Sequence, residues 1–84
     1  MNPKEESKSK IDNAINLFSN GKFQEGLEAT QALSDNFPKD PLIHNVIGAC
    51  YAGLGQLSSA IKSYEKAISL NPKYSKAFYN PDHL

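Results

Sequence analysis

Apolar side chains recur along this chain at spacings of three and four, the period of a helix that buries one face. Ile11, Ala14, Ile15, Leu17 and Phe18 form a first stripe, and Phe23, Leu27, Thr30, Leu33 and Phe37 a second. A broader apolar face runs through Ile43, Val46, Ile47, Cys50, Tyr51 and Leu54. A fourth stripe follows through Leu57, Ile61, Tyr64 and Ile68, with the small residues Ala60 and Ala67 beside it. No segment alternates apolar and polar residues with period two, so strands are not expected. The punctuation agrees with this pattern. Asn20-Gly21 and Gly55 suit the left-handed conformation at a helix C-terminus, Asp40 can cap the free N–H groups of a helix, and Pro41 suits a first helical position. Pro38 and Asn71-Pro72 mark exits. Together these signals predict helices over 5–19, 22–36, 41–54 and 57–70, with a short fifth over 74–80. The two-residue turns within each pair force their helices antiparallel.

The stripes also repeat. Gly21 and Gly55 lie 34 residues apart, as do Pro38 and Pro72. In the same register Phe23 falls on Leu57, Leu27 on Ile61, Leu17 on Tyr51, Gly26 on Ala60 and Ala14 on Gly48. Self-similarity at this period marks helical hairpins stacked into a solenoid, in which each unit buries one face on the next. We read one domain over 1–84: a first unit over 7–40, a second over 41–74, a truncated third unit or capping helix over 75–80, and a tail over 81–84.

Composition narrows the function classes. The 84 residues suit one small domain, and an apolar content of 39% allows a core but not a large one. Nine lysines balance nine acidic residues and arginine is absent. Neutralising a phosphate backbone needs a surplus of cations, so a nucleic-acid partner is not expected. No apolar run is long enough to span a bilayer, and the polar start Met1-Asn2-Pro3-Lys4 lacks the apolar core of a signal peptide. The expectation is a cytoplasmic protein with no membrane partner. A single cysteine, Cys50, excludes an internal disulfide.

Little in the chain carries chemistry. His44 has no second histidine or carboxylate at helical spacing on its own helix, and reads as a packing residue. Cys50 sits on an apolar face without a neighbouring cation, and reads as buried filler rather than a reactive thiol. Tyr51, Tyr64 and Phe23 read as core, and Glu6 and Lys10 as a solvated i,i+4 pair. Phosphate loops, zinc spacings and nucleophile elbows are absent. We therefore expect no enzyme activity and no cofactor.

Gly48, Tyr51, Gly55, Ala60, Tyr64, Ala67 and Pro72 give the second unit the signature of a tetratricopeptide repeat, and the chain resembles that family over about residues 7–80. The first unit matches less well, through Ala14, Leu17, Gly21, Gly26 and Pro38, with Lys10, Asn13, Thr30 and Leu33 departing. Ser75-Lys76-Ala77-Phe78-Tyr79-Asn80 resembles the opening of a third repeat that Pro81 interrupts, as in a fragment or truncated relative of a longer array. The resemblance implies an all-α fold, a right-handed α-α superhelix of antiparallel hairpins. It also implies a concave groove lined by the first helix of each unit. Carried over by register, the groove residues are Lys8, Ile11, Ile15 and Phe18, then Leu42, Asn45, Ala49 and Ala52, then Lys76 and Tyr79. Some family members clamp acidic chaperone tails. The corresponding residues here are Ile11, Ile15, Val46, Lys76 and Asn80, of which only Lys76 fits.

The resemblance thus implies a protein–protein interaction module that presents this groove to a peptide or helix, with Asn45 able to hydrogen-bond an extended backbone. Ile11, Ile15 and Phe18 carry a competing reading, as packing inside the first hairpin or against another copy. A second face, formed by Ile61, Ile68, Leu70 and Phe78, lacks a complete third unit to cover it and predicts self-association as a homodimer or domain-swapped oligomer. Two alternatives to the module remain: a non-catalytic repeat segment of a larger enzyme such as a transferase, or a self-associating structural fragment.

Overall fold

The computed structural model describes residues 3–73, with side chains from Lys8 onward. It contains α1 (Pro3–Ser19), α2 (Phe23–Asn36), α3 (Pro41–Gly53) and α4 (Leu57–Leu70), with no strand among the described residues. The fold is the expected all-α arrangement of helical hairpins, and the four helices start and stop within two residues of the predicted bounds. The fifth helix expected over 74–80 lies outside the described residues.

The 34-residue period is written into the backbone hydrogen bonds. At the end of α1, Gly21 takes φ +79°, its N–H donates to Phe18 O at 2.9 Å, and the Lys22 N–H donates to Leu17 O at 2.8 Å. At the end of α3, Gly55 takes φ +81°, its N–H donates to Ala52 O at 3.0 Å, and the Gln56 N–H donates to Tyr51 O at 2.9 Å. This paired closure satisfies carbonyls that a helix end leaves free, and it needs a left-handed residue that glycine adopts without a Cβ clash. The helix exits repeat as well. Phe37 N–H donates to Leu33 O at 2.8 Å, and Asn71 N–H to Ala67 O at 2.9 Å.

Between the hairpins, Asp40 caps α3 by accepting from the Leu42 N–H at 3.0 Å, with Pro41 in the first turn. His44 does more than pack. It is half-buried, and its Nε2–H donates to the Pro38 carbonyl at 2.8 Å, tying α3 to the loop before it. An acceptor carbonyl requires the proton on that nitrogen.

α3 is the hub. It packs against α2 and α4 and also touches α1, while α1 packs mainly on α2. One apolar cluster joins Ile11 and Ala14 of α1, Leu27 and Leu33 of α2, and Ile43, Val46, Ile47 and Cys50 of α3. Complete burial of a side chain such as Ile43 stabilises the fold by about 1.5–3 kcal/mol. Close approach within the second hairpin depends on Gly48, because a Cβ there would lie 2.7 Å from the Tyr64 ring. Close approach between hairpins depends on Gly53, where a Cβ would lie 2.5 Å from the Phe23 ring.

Three expectations need correction. Ile11 does not face an open groove: it is 3% exposed and belongs to the core cluster. It shares a face with Ala14, one helical turn on, and that face is buried. Tyr51, Tyr64 and Phe23 are half-buried rather than fully buried. The Tyr51 hydroxyl reaches the surface and accepts from Gln31 Nε2 at 3.1 Å. Leu57, expected on the apolar stripe of α4, is 62% exposed. Beside it Ile61 is 43% exposed, while Ile68 and Leu70 are half-buried. Phe78, the remaining member of that expected face, lies outside the described residues.

Candidate functional site

Where α1 and α3 lie side by side, a cavity of about 140 Å³ opens between them. α1 supplies Ile15 and Phe18, three residues apart, and α3 supplies Leu42, Asn45, Val46 and Ala49. The α3 set follows the i, i+3, i+4, i+7 spacing of a single helix face. Phe18 is held from behind by Phe23, with ring centroids 5.4 Å apart and planes tilted by 57°. That edge-inclined geometry is favourable for aromatic pairs. Ile15 stands at the rim, 37% exposed, and Phe18, Leu42 and Ala49 are half-buried.

None of the six lining residues is ionisable. The one polar side chain among them is Asn45, which is 1% exposed. Neither its Nδ2 nor its Oδ1 has a hydrogen-bond partner among the described residues. A buried amide left unpaired costs about 1–3 kcal/mol, so natural structures hold few of them. Thr30 shows how this core treats a polar group elsewhere. It too is fully buried, but its hydroxyl donates to Gly26 O at 2.7 Å and contacts Leu27 O at 3.1 Å.

Of the residues expected to form a groove, Ile15, Phe18, Leu42, Asn45 and Ala49 line this cavity. Lys8 and Ala52 are exposed away from its lining, and Ile11 is in the core. Lys76 and Tyr79 lie outside the described residues. Val46 lines the cavity and was not among the expected groove residues. Its spacing of four from Leu42 and three from Ala49 was the available signal.

The chemistry of the remaining candidates is subdued. Cys50 is completely buried, and burial raises its thiol above the ordinary range, which disfavours the reactive thiolate. Burial likewise raises the Tyr64 phenol, with a further contribution from charge on Cys50. Among the described residues no group of histidine, cysteine and carboxylate side chains could hold a metal, and no helix is long and apolar enough to cross a membrane.

The sequence model of the tetratricopeptide repeat matches residues 41–74. The chain is 32% identical to the peroxisomal targeting signal receptor of Candida glabrata over 64 residues, which cover 76% of this chain and 11% of that protein. It is 31% identical to anaphase-promoting complex subunit 3 of Dictyostelium discoideum over 67 residues, 80% of this chain and 7% of that protein. It is 38% identical to Hsp70-Hsp90 organizing protein 1 of Glycine max over 61 residues, 71% of this chain and 10% of that protein. The chain therefore spans a small part of each of these relatives. No solved structure matches it significantly. The matched segment covers α3, its glycine closure and α4, and the 34-residue period carries the same backbone bonds into the first hairpin; the chain belongs to the tetratricopeptide-repeat family.

Proposed function

We propose that this chain is a protein–protein interaction module that receives a peptide segment on the face where α1 and α3 meet. The observation that carries the reading is the cavity walled by Ile15, Phe18, Leu42, Asn45, Val46 and Ala49. Two rigid helices hold it open, so a ligand would not have to order the site before binding. Membership of a repeat family that includes a targeting-signal receptor and chaperone-organizing proteins supports the same reading. An acidic-tail clamp does not fit this face, because Ile15 and Val46 stand where such a clamp needs polar or cationic groups. Ile15 provides the test. It sits at the rim and is exposed enough for a lysine to reach water, so Ile15→Lys should abolish capture of partners while helicity by circular dichroism stays unchanged. Capture that survives the change, measured by affinity purification and mass spectrometry against wild type, would remove the groove from the account. Loss of helicity would return Ile15 to the core.

A second reading rests on α4. Leu57 and Ile61 are exposed on the register that Phe23 and Leu27 occupy in α2, where Leu27 is 5% exposed in the shared core. An apolar face of this kind suits association with a second copy or a further helix. Sedimentation velocity should show self-association that rises with concentration and disappears in Ile61→Lys. A strictly monomeric wild type would exclude it.

A further inference from the structure

α4 packs on α3 along one side and carries Leu57 and Ile61 in the open on another. The equivalent face of α2 shows what such a surface meets when it is covered. There the Phe23 ring lies against Gly53 of α3, and Leu27 joins Ile43 and Ile47 of α3 in the core. At the rim of that contact Gln31 Nε2–H donates to the Tyr51 hydroxyl of α3 at 3.1 Å. A side chain at this position therefore reaches across to the covering helix. On α4 the position belongs to Glu65, so whatever covers α4 should offer a cation there.

A second copy can approach this face in two ways, and their chemistry differs. Stacked head to tail, α1 of the next copy would lie on α4 as α3 lies on α2. It would bring Ser9, Asn13 and Asn16 where α3 brings Ile43, Ile47 and Cys50, and Leu17 where α3 brings Tyr51. Three polar side chains would lose water against Leu57 and Ile61, and Glu65 would face hydrocarbon. A two-fold axis instead sets α4 antiparallel to α4. With the helix ends matched, Leu57 comes level with Leu70 and Lys62 with Glu65. Lys62 and Glu65 are exposed and three residues apart, so they share one flank of the apolar stripe. The axis places that flank against itself, and each Glu65 then faces the other copy's Lys62.

We propose that a second copy of this chain covers α4, in a closed two-fold dimer whose α4 helices run antiparallel. Leu57 and Ile61 supply the apolar contact, and two reciprocal Lys62–Glu65 pairs fix its register. The inference rests on the self-association reading of α4 and specifies its geometry. The face is used up in one such contact, and the polar α1 surface offers no second, so assembly stops at two.

Charge reversal in the full chain, followed by sedimentation over a wide concentration range, tests this arrangement. Wild type should settle into a monomer–dimer equilibrium with no larger species. Lys62→Glu and Glu65→Lys should each weaken dimerisation about tenfold, because each turns two attractions into two repulsions. Both side chains are exposed, so helicity should stay unchanged. The doubly reversed chain keeps its net charge and should dimerise within about twofold of wild type. Ser58 and Ser69 give an independent readout, since both are exposed and the antiparallel pairing brings them level. A short bismaleimide should join Ser58→Cys protein to Ser69→Cys protein faster than it joins either variant to itself, with the fully buried Cys50 left unmodified. Single reversals that leave dimerisation unchanged, or faster joining of Ser58→Cys to itself, would overturn the antiparallel geometry while self-association stands. Growth into larger species with concentration would show head-to-tail stacking and overturn the closed dimer. A strictly monomeric wild type would overturn the dimer and the self-association reading together, and would leave the face to residues 74–84 or to a foreign helix.

Discussion

In the first hairpin Ser9, Asn13 and Asn16 are open to water, while 34 residues on Ile43, Ile47 and Cys50 are buried in the core shared with Leu27 and Leu33. The opposite face reverses the contrast. Leu27 of α2 is covered, and its counterpart Ile61 of α4 is exposed. Yet the two hairpins close their helices through the same backbone bonds, at Gly21 and at Gly55. Turn chemistry fixes the hairpin as a frame. What lies beside the frame then decides which of its faces carries apolar side chains, as expected when each unit of a solenoid is stabilised by its neighbours. A cleft of about 210 Å³ on the outer side of the first hairpin, lined by Lys10, Asn13, Ala29, Ala32, Leu33 and Asn36, belongs to this water-facing surface.

The largest test of that contrast exchanges equivalent positions. Ile43→Ala removes a fully buried side chain at the junction of the hairpins and should cost about 2–5 kcal/mol. Ser9→Ala, at the same place in the first hairpin, should change stability by no more than about 0.5 kcal/mol. Urea unfolding of the two variants measures both. Comparable losses would mean that Ser9 faces a packed surface, and that the two ends of the repeat are more alike than their chemistry indicates.

The helices and their junctions were legible in the sequence because local chemistry decides them. Gly21, Gly55, Asp40 and Pro41 act within a few residues of their own positions, and each behaves as the sequence implied. The site was legible only in outline. Ile15, Phe18, Leu42, Asn45 and Ala49 all follow from helical register, which reports direction but not depth. Depth depends on how near α1 comes to α3, and no local signal encodes that distance. Ile11 was left between groove and packing for this reason, and the burial of the Asn45 amide could not be read at all. The His44–Pro38 bond has the same origin, because the path of the loop between α2 and α3 brings the carbonyl within reach. Gly48 was legible as a position of the repeat signature, but neither the close approach there nor the ring that demands it could be read from local chemistry.

That ring yields a subtler test. The first hairpin carries Ala14 and Thr30, both fully buried, where the second carries Gly48 and Tyr64. A larger side chain on one helix is matched by a smaller one on the other, so each pair should tolerate exchange only as a pair. Gly48→Ala alone places a methyl 2.7 Å from the Tyr64 ring and should cost about 1–3 kcal/mol through overpacking. The change also removes a glycine from the interior of α3, which offsets that cost by roughly 0.8–1 kcal/mol. With Tyr64→Thr already in place the clash is gone and only the helix-propensity gain remains, so the same Gly48→Ala change should become stabilising. A double-mutant cycle by urea unfolding should therefore give a coupling of about 1–3 kcal/mol and a reversal of sign between backgrounds. Additive effects would show that the ring can shift aside without cost, and that the glycine-tyrosine pair of the second hairpin is not a packed counterpart of the alanine-threonine pair of the first.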